Sequence, residues 1–322
     1  MTARRVALAT LVAVLLVALL PHDAWAWSPG THIFLGQAVL ENLNILPAAA
    51  AELLRGWPLD FLYGSIAADT SFAKKYVPVG RHSHAWHVGQ EIHDLAGSPG
   101  QHAFGLGYLA HLAADVVAHN HFVPRQLTVT SSTMALGHSY WEARFDMHVG
   151  EEYGRRAWEV LQHDHSANDA HLDRIISPTI FSVRTNRRLF RGMVQLGDLT
   201  GWTRVVQIAA EASRWGLPDR VIERHMAVAF DYVMDMLVAG DDAVARRSDP
   251  SGADALGAAK RMRRHALRGG GRRDPEHLHD VAEEHFGLPA TSLGYWDRYE
   301  AEPPWRKPGR RLRGDRPLRS TR

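Results

Sequence analysis

The stretch that decides the fold runs from His111 to Glu142. It reads H111-L-A-A-D115-V-V-A-H-N-H121-F-V-P and, after a polar break, G137-H138-S-Y-W-E142. Two His/carboxylate pairs are each spaced four residues apart, and His121 lies between them. On an α-helix, residues i and i+4 share one face, so each pair can present a nitrogen and an oxygen to one metal ion. Imidazole and carboxylate are ligands that suit zinc.

A single pair of this kind is weak evidence for a metal site. With 20 His and 35 acidic residues in 322, chance alone predicts about two such spacings. The alternative interpretation is a solvated i,i+4 charge pair on a helix surface. The neighbours of the first pair favour the metal site, because Leu112, Val116 and Val117 mark a buried helix. Ionisable side chains are costly to bury unless they are paired or bound to a metal.

Composition narrows the possible chemistry. The chain is 45% hydrophobic and 22% charged, which is ordinary for a globular protein, and 322 residues can bury a sizeable core. It contains no cysteine, which excludes disulfides, thiolate zinc sites and cysteine nucleophiles. Residues 27–255 are net negative, whereas the residues after them are net positive. A transition metal would therefore rely mainly on histidine and carboxylate.

Residues 1–26 have the form of a signal peptide. Two arginines precede an apolar run over residues 6–20, and A24-W25-A26 is typical of a cleavage site. An uncleaved anchor is the weaker alternative, since the run is short for a membrane-spanning helix. We therefore expect an exported protein, periplasmic or secreted, that is cleaved after Ala26. Trp27 would become the N-terminus and could bind a metal through its amino and carbonyl groups; the alternative is that it is only the first core aromatic.

The segment 27–245 predicts an all-α domain, because apolar residues recur there at helical spacing and no alternation with a period of two persists. Two further candidates lie before the opening stretch. Asp69 follows an apolar helix, where a lone Asp is more often a turn residue. His82, His84 and His87 lie in one short run, in which the alternative to a metal ligand is an exposed loop.

The segment 246–322 is basic and rich in Gly, Arg and Pro, so we expect a disordered tail. A tail of this charge could attract anionic phospholipids or nucleic acid. The alternative is a solvated tail without a partner.

The ordered set of candidates resembles the bacterial zinc-dependent phospholipases C, the group that includes clostridial alpha-toxin. The similarity lies in G-T-H at Gly30 to His32, in G-S-x-x-x-D ending at Asp69, and in a His about a dozen residues later. H-x-x-x-D-x-x-x-x-x-H and G-H-x-x-x-E follow in the opening stretch. The resemblance implies an all-α zinc-dependent phospholipase C/nuclease-like fold for residues 27–245.

The resemblance also implies three zinc ions per chain. Asp69, His84, His111 and Asp115 would hold the first ion, with His84 preferred to His82. His121, His138 and Glu142 would hold the second. Trp27 and His32 would hold the third, with Asp115 as a bridge. Asp69 is in addition the candidate catalytic residue that orients or deprotonates the attacking water.

The implied reaction is hydrolysis of the glycerol-side phosphodiester of a phospholipid, met transiently at a membrane surface. We expect a monomer without a nucleic-acid partner. No lipid-binding β-sandwich is recognisable after the helical segment, so we expect no calcium site. Two alternatives remain open: a zinc-dependent single-strand nuclease of the same fold, in which Asp usually replaces Glu142, and a non-catalytic exported zinc-binding protein.

Overall fold

The computed structural model describes residues 27–71, 81–130, 134–179, 181–197, 207–208, 210–211, 213, 215–268 and 275–306. Within these ranges every regular element is a helix, which confirms the predicted all-α class. The α-helices are α1 Pro29–Glu41, α2 Ala48–Gly56, α3 Pro58–Ala67, α4 Trp86–Asp94, α5 Pro99–Val117, α6 Val123–Thr130, α7 Met134–Val149, α8 Glu151–Gln162, α9 Ser166–Ile175, α10 Val183–Gly197, α11 Asp219–Ala239, α12 Ala253–Arg268 and α13 Pro275–Phe286.

The central helix is α5, which packs against α3, α4 and α11. It begins where the side chain of Ser98 accepts a hydrogen bond from the backbone N–H of Gln101, with Pro99 in its first turn. Nearly the whole helix is buried, including Phe104, Tyr108 and Leu112. Because neighbours surround α5, its polar residues face protein rather than water.

Two glycines allow α3 and α5 to touch backbone to backbone. A Cβ on Gly64 would overlap the carbonyl oxygen of Phe104, and a Cβ on Gly107 would overlap that of Phe61. Only glycine permits such an approach. As a consequence, the carbonyl oxygen of Ser65 on α3 lies 2.9 Å from Nδ1 of His111 on α5.

The first helix, α1, is fixed at its start by α7. Asp146 on α7 accepts hydrogen bonds from the backbone N–H of Thr31 at 2.8 Å and from its hydroxyl at 2.9 Å. A carboxylate suits this position, because the first turn of a helix carries the positive end of the helix dipole. The contact holds α1 against α7 next to His32.

Among the residues that the structure describes, the C-terminal segment contains the two helices α12 and α13, whereas we expected disorder over residues 246–322. Both α12 and α13 pack on α6. Buried Leu256, Ala259, Leu278 and Phe286 give each helix an apolar stripe, which an average composition conceals. Beyond α13, Asp231 accepts hydrogen bonds from the backbone N–H groups of residues 293, 294 and 296. Residues 307–322 lie outside the described residues.

Within the described part of the chain, no helix combines the length and the apolar character needed to cross a membrane. The predicted signal peptide, residues 1–26, lies outside the described residues.

Candidate metal centre

The first group of candidate ligands joins three elements. Asp69 lies in a short 3-10 turn after α3, His84 lies just before α4, and His111 lies on α5. Nε2 of His84 is 3.3 Å from Oδ1 of Asp69, and Nε2 of His111 is 3.9 Å from the same oxygen. All three side chains are buried. Their arrangement could hold one metal ion.

Asp115 connects this first group to His32. Its Oδ2 lies 3.0 Å from Nε2 of His84 and 3.1 Å from Nε2 of His111. Its Oδ1 faces the other way, 3.4 Å from Nε2 of His32. The ring of His32 stacks on that of His111 with centroids 3.9 Å apart. His32, His111 and Asp115 thus form a second arrangement that could hold an ion.

The remaining group consists of His119, His138 and Glu142. Oε1 of Glu142 lies 2.6 Å from Nε2 of His138, one helical turn away on α7. The same oxygen lies 3.7 Å from Nε2 of His119. The ring centroids of His119 and His84 are 6.4 Å apart, so this group lies next to the first group.

The structure brings His119, and not the predicted His121, to this group. Nδ1 of His121 instead lies 2.9 Å from the carbonyl oxygen of Gly287, after α13. Both histidines lie in a π-helical turn, Ala118–Phe122, between α5 and α6. His119 continues the face of His111 and Asp115 at four-residue spacing, whereas His121 points away from it. The structure therefore favours His119 over His121 as the candidate ligand of this group.

The structure also separates the histidines between residues 82 and 87. His84 lies in the first group, whereas Nδ1 of His82 accepts a hydrogen bond from the backbone N–H of His84 at 3.1 Å. His82 is in none of the three groups that the described residues form. The preference for His84 thus agrees with the placement of the two side chains.

Part of the chain matches the model of a known protein family. Residues 31–183 match the family model for zinc dependent phospholipase C. The zinc-dependent phospholipases C are therefore the family that this part of the chain resembles. The predicted resemblance is confirmed, and the matched segment contains every candidate ligand except Trp27. No curated protein and no solved structure gives a significant match to the chain.

Hydrogen bonds to backbone carbonyl groups fix the orientation of two histidine rings in the centre. Nδ1 of His111 faces the carbonyl oxygen of Ser65, and Nδ1 of His119 lies 2.7 Å from that of Pro250. A carbonyl oxygen can only accept, so each Nδ1 carries the proton. Each Nε2 is then left with a lone pair directed at the neighbouring carboxylates. Metal-binding histidines commonly have such a second partner.

Burial and neighbouring charges shift the pKa values of several buried groups in the centre. Burial would raise the pKa of Asp115, but His111, His32 and His84 hold the pKa well below its usual value. Burial lowers the pKa of His111, yet the carboxylates of Asp115 and Asp69 outweigh it, and the net pKa is raised. For Glu142, burial dominates and raises the pKa well above its usual value. A cation in this centre would compensate these buried carboxylates.

The atoms that converge in the centre fit a metal ion. Both carboxylate oxygens of Asp115 and of Glu142 are buried and accept no well-directed hydrogen bond. Nε2 of His32 and Nε2 of His119 are likewise buried without one. Such groups are expensive to bury unless a charge compensates them. Imidazole and carboxylate donors fit zinc, the metal of the matched family.

Trp27 precedes the matched segment and belongs to the core. Its side chain is fully buried, and its ring stacks on Phe145 of α7 with centroids 4.8 Å apart. The indole is therefore a packing group, as the alternative interpretation expected. Metal binding by the amino and carbonyl groups of Trp27 would require cleavage after Ala26.

Sequence reasoning missed His119, although a signal for it was present. His111, Asp115 and His119 are spaced by four residues, so helical geometry alone places them on one side of α5 and its continuation. The spacing of the family motif selected His121 instead. In this chain, local helical periodicity was the better guide to the placement of the side chains.

Proposed function

We propose that this chain is an exported zinc phospholipase C that cleaves the glycerol-side phosphodiester of phospholipids. The observation that carries the proposal is the position of Asp115, which faces histidines on both sides and joins two of three buried His/carboxylate groups within the family domain. A carboxylate that faces two sets of histidines is typical of closely spaced metal ions. An isolated ion pair requires only one histidine for each carboxylate.

The proposed ligands fall into three sets. The first zinc is assigned to Asp69, His84, His111 and Asp115. The second is assigned to His119, His138 and Glu142, in which His119 replaces His121. The third is assigned to His32, Asp115 and, after cleavage of the signal peptide, the amino and carbonyl groups of Trp27. A free α-amino group binds a metal once it loses its proton, and the carbonyl oxygen of the same residue closes a five-membered chelate.

The proposed reaction is hydrolysis at phosphorus. A water oxygen forms a bond to phosphorus, the bond from phosphorus to the glycerol oxygen breaks, and diacylglycerol and a phosphorylated head group result. Bound zinc supplies positive charge that neutralises the phosphodiester oxygens and lowers the pKa of water. Asp69 is the proposed residue that orients the water and takes its proton, which ends on the glycerol oxygen that leaves.

The proposed substrate is a phospholipid in a membrane surface, met transiently by a monomeric protein. The support for this substrate is the family of residues 31–183. Export rests on the signal-peptide form of residues 1–26.

The test uses the mature chain from Trp27 onward, loaded with zinc. Phosphatidylcholine and other phospholipids are assayed for release of the phosphorylated head group, beside single-stranded DNA for release of mononucleotides. We expect head-group release that a chelator abolishes and that added zinc restores. Mononucleotide release alone would favour the nuclease. Zinc binding without turnover of either substrate would favour a non-catalytic zinc-binding protein.

A further inference from the structure

The loop of residues 248–252, which we name the carbonyl loop, contacts the metal centre through its backbone. The carbonyl oxygen of Ser248 accepts a hydrogen bond from the indole of Trp86 at 2.8 Å. That of Asp249 accepts from the side-chain amide of Asn120 at 2.8 Å. That of Pro250 accepts from Nδ1 of His119 at 2.7 Å. Three successive carbonyls therefore bind side chains, and one of these side chains is the candidate ligand His119.

The partners of these carbonyls lie beside candidate ligands of two groups. Trp86 lies two residues after His84, and Asn120 follows His119 directly. Trp86 is also held by Arg246, whose guanidinium carbon lies 5.0 Å from the centroid of the indole ring. The carbonyl loop thus touches the segment that carries His84 and the turn that carries His119.

The bond to Pro250 determines which nitrogen of His119 can bind a metal. Since the carbonyl only accepts, Nδ1 holds the proton and Nε2 keeps its lone pair. The ring is buried, so water does not offer Nδ1 another partner at low cost. Without the carbonyl loop, the imidazole could rotate or exchange tautomers.

Gly252 allows the loop to lie directly on His119. A Cβ at this position would overlap the backbone carbonyl and the Cβ of His119. Gly252 also has a φ of +56°, a conformation that side chains disfavour. The close approach of the loop therefore requires glycine here.

We propose that the carbonyl loop is a positioning element of the second zinc group. It fixes the Nδ1-protonated form of His119 and aims Nε2 at Glu142 and His138. The inference rests on the proposed zinc site at His119, His138 and Glu142. It makes residues 248–252, which lie outside the matched family segment, a part of the metal centre.

The chain offers a matched pair of glycines for the test. Gly240 has a φ of +58°, close to the +56° of Gly252, but a Cβ there would meet nothing within 4 Å. Gly252→Ala and Gly240→Ala both place a side chain at positive φ, and only the first brings a Cβ against His119. Zinc is counted on the full mature chain during titration with a chelator. We expect Gly252→Ala to bind one zinc ion 10–100-fold more weakly, the usual effect of losing an outer partner of a metal ligand. Gly240→Ala should retain wild-type zinc affinity.

A second measurement does not require zinc. In the metal-free protein, nitrogen-15 NMR of His119 should show a protonated Nδ1 in the wild type and in Gly240→Ala, and a mixture of tautomers in Gly252→Ala. Trp86→Phe should shift zinc affinity in the same direction by a smaller factor. Equal zinc affinity and equal tautomers in the two glycine variants would overturn the inference. A wild type with protonated Nδ1 but no zinc would instead contradict the proposed function and leave the positioning of His119 supported.

Discussion

Asp115 and His111 lie one helical turn apart on α5, and Nε2 of His111 is 3.1 Å from Oδ2 of Asp115. The second oxygen of the same carboxylate faces His32 on α1, at 3.4 Å. Asp115 therefore has no oxygen turned to solvent, and it connects the central helix to the first helix of the domain. This double contact makes Asp115 the most informative single substitution.

Asp115→Asn should cost the most zinc. The change removes one negative charge and one acceptor oxygen from a junction that two proposed zinc ions share. We expect the mature protein to lose the first and third ions and to retain the ion at His138 and Glu142. Metal counting after dialysis measures the result, and the exposed Asp242→Asn serves as the control. Full zinc content in Asp115→Asn would exclude a bridging carboxylate.

His119 and His121 can be separated by a pair of alanine variants. His119→Ala removes a ligand and should weaken zinc binding at the second group more than 100-fold, beyond the usual cost of losing an outer partner. His121→Ala should leave zinc affinity nearly unchanged, because its Nδ1 is engaged with Gly287 rather than with this group. Competition with a chelator provides the affinities. The opposite ranking would restore His121 as the ligand and contradict the placement of these side chains.

The third zinc group can be tested at the N-terminus. A mature chain with one additional Met ahead of Trp27 moves the α-amino group away from the proposed chelate. We expect one zinc ion to be lost, while the first and second groups keep theirs. The matched control carries the normal N-terminus and one additional residue after Arg322. Three bound ions with full activity in the extended chain would rule out the amino-group ligand.

Asp146 should make stability depend on pH. Burial raises the pKa of Asp146 to about 6, although hydrogen bonds from Thr31 oppose the shift. A folded-state pKa above the unfolded one means that its stabilising contribution is full below about pH 4 and is lost as the pH rises through about 6. In metal-free protein, Asp146→Asn should therefore gain stability relative to wild type between pH 5 and pH 7. Denaturant unfolding at both pH values measures this gain, and equal stability of Asp146→Asn and wild type at pH 7 would contradict it.

The contact of α3 with α5 should be intolerant of side chains. Gly107→Ala places a Cβ on the carbonyl oxygen of Phe61 and should lower the free energy of unfolding by about 3 kcal/mol or more. Gly154→Ala, in α8 where a Cβ meets nothing within 4 Å, should instead raise it by about 0.5–1 kcal/mol. Urea unfolding of both variants gives the comparison. A neutral Gly107→Ala would contradict the backbone contact that brings Ser65 to His111.

The two C-terminal helices, α12 and α13, could have been predicted only from the spacing of their apolar residues. Its basic composition predicted disorder, whereas Leu256, Ala259, Leu278 and Phe286 are buried. The reason is that composition averages over positions, and packing depends on their spacing. A few apolar residues on one stripe are sufficient when another helix, here α6, offers a complementary face.

The sequence by itself determined the helical class, the family and the pairs His111/Asp115 and His138/Glu142. Those pairs are local, because the geometry of an α-helix places residues i and i+4 together whatever surrounds it. Only the tertiary structure shows which of His119 and His121 lies beside His138 and Glu142, since both occupy one π-helical turn. That choice depends on carbonyl groups of Pro250 and Gly287, more than 100 residues later in the chain. No local pattern contains such partners, since they arise only when α12 and α13 pack beside the turn.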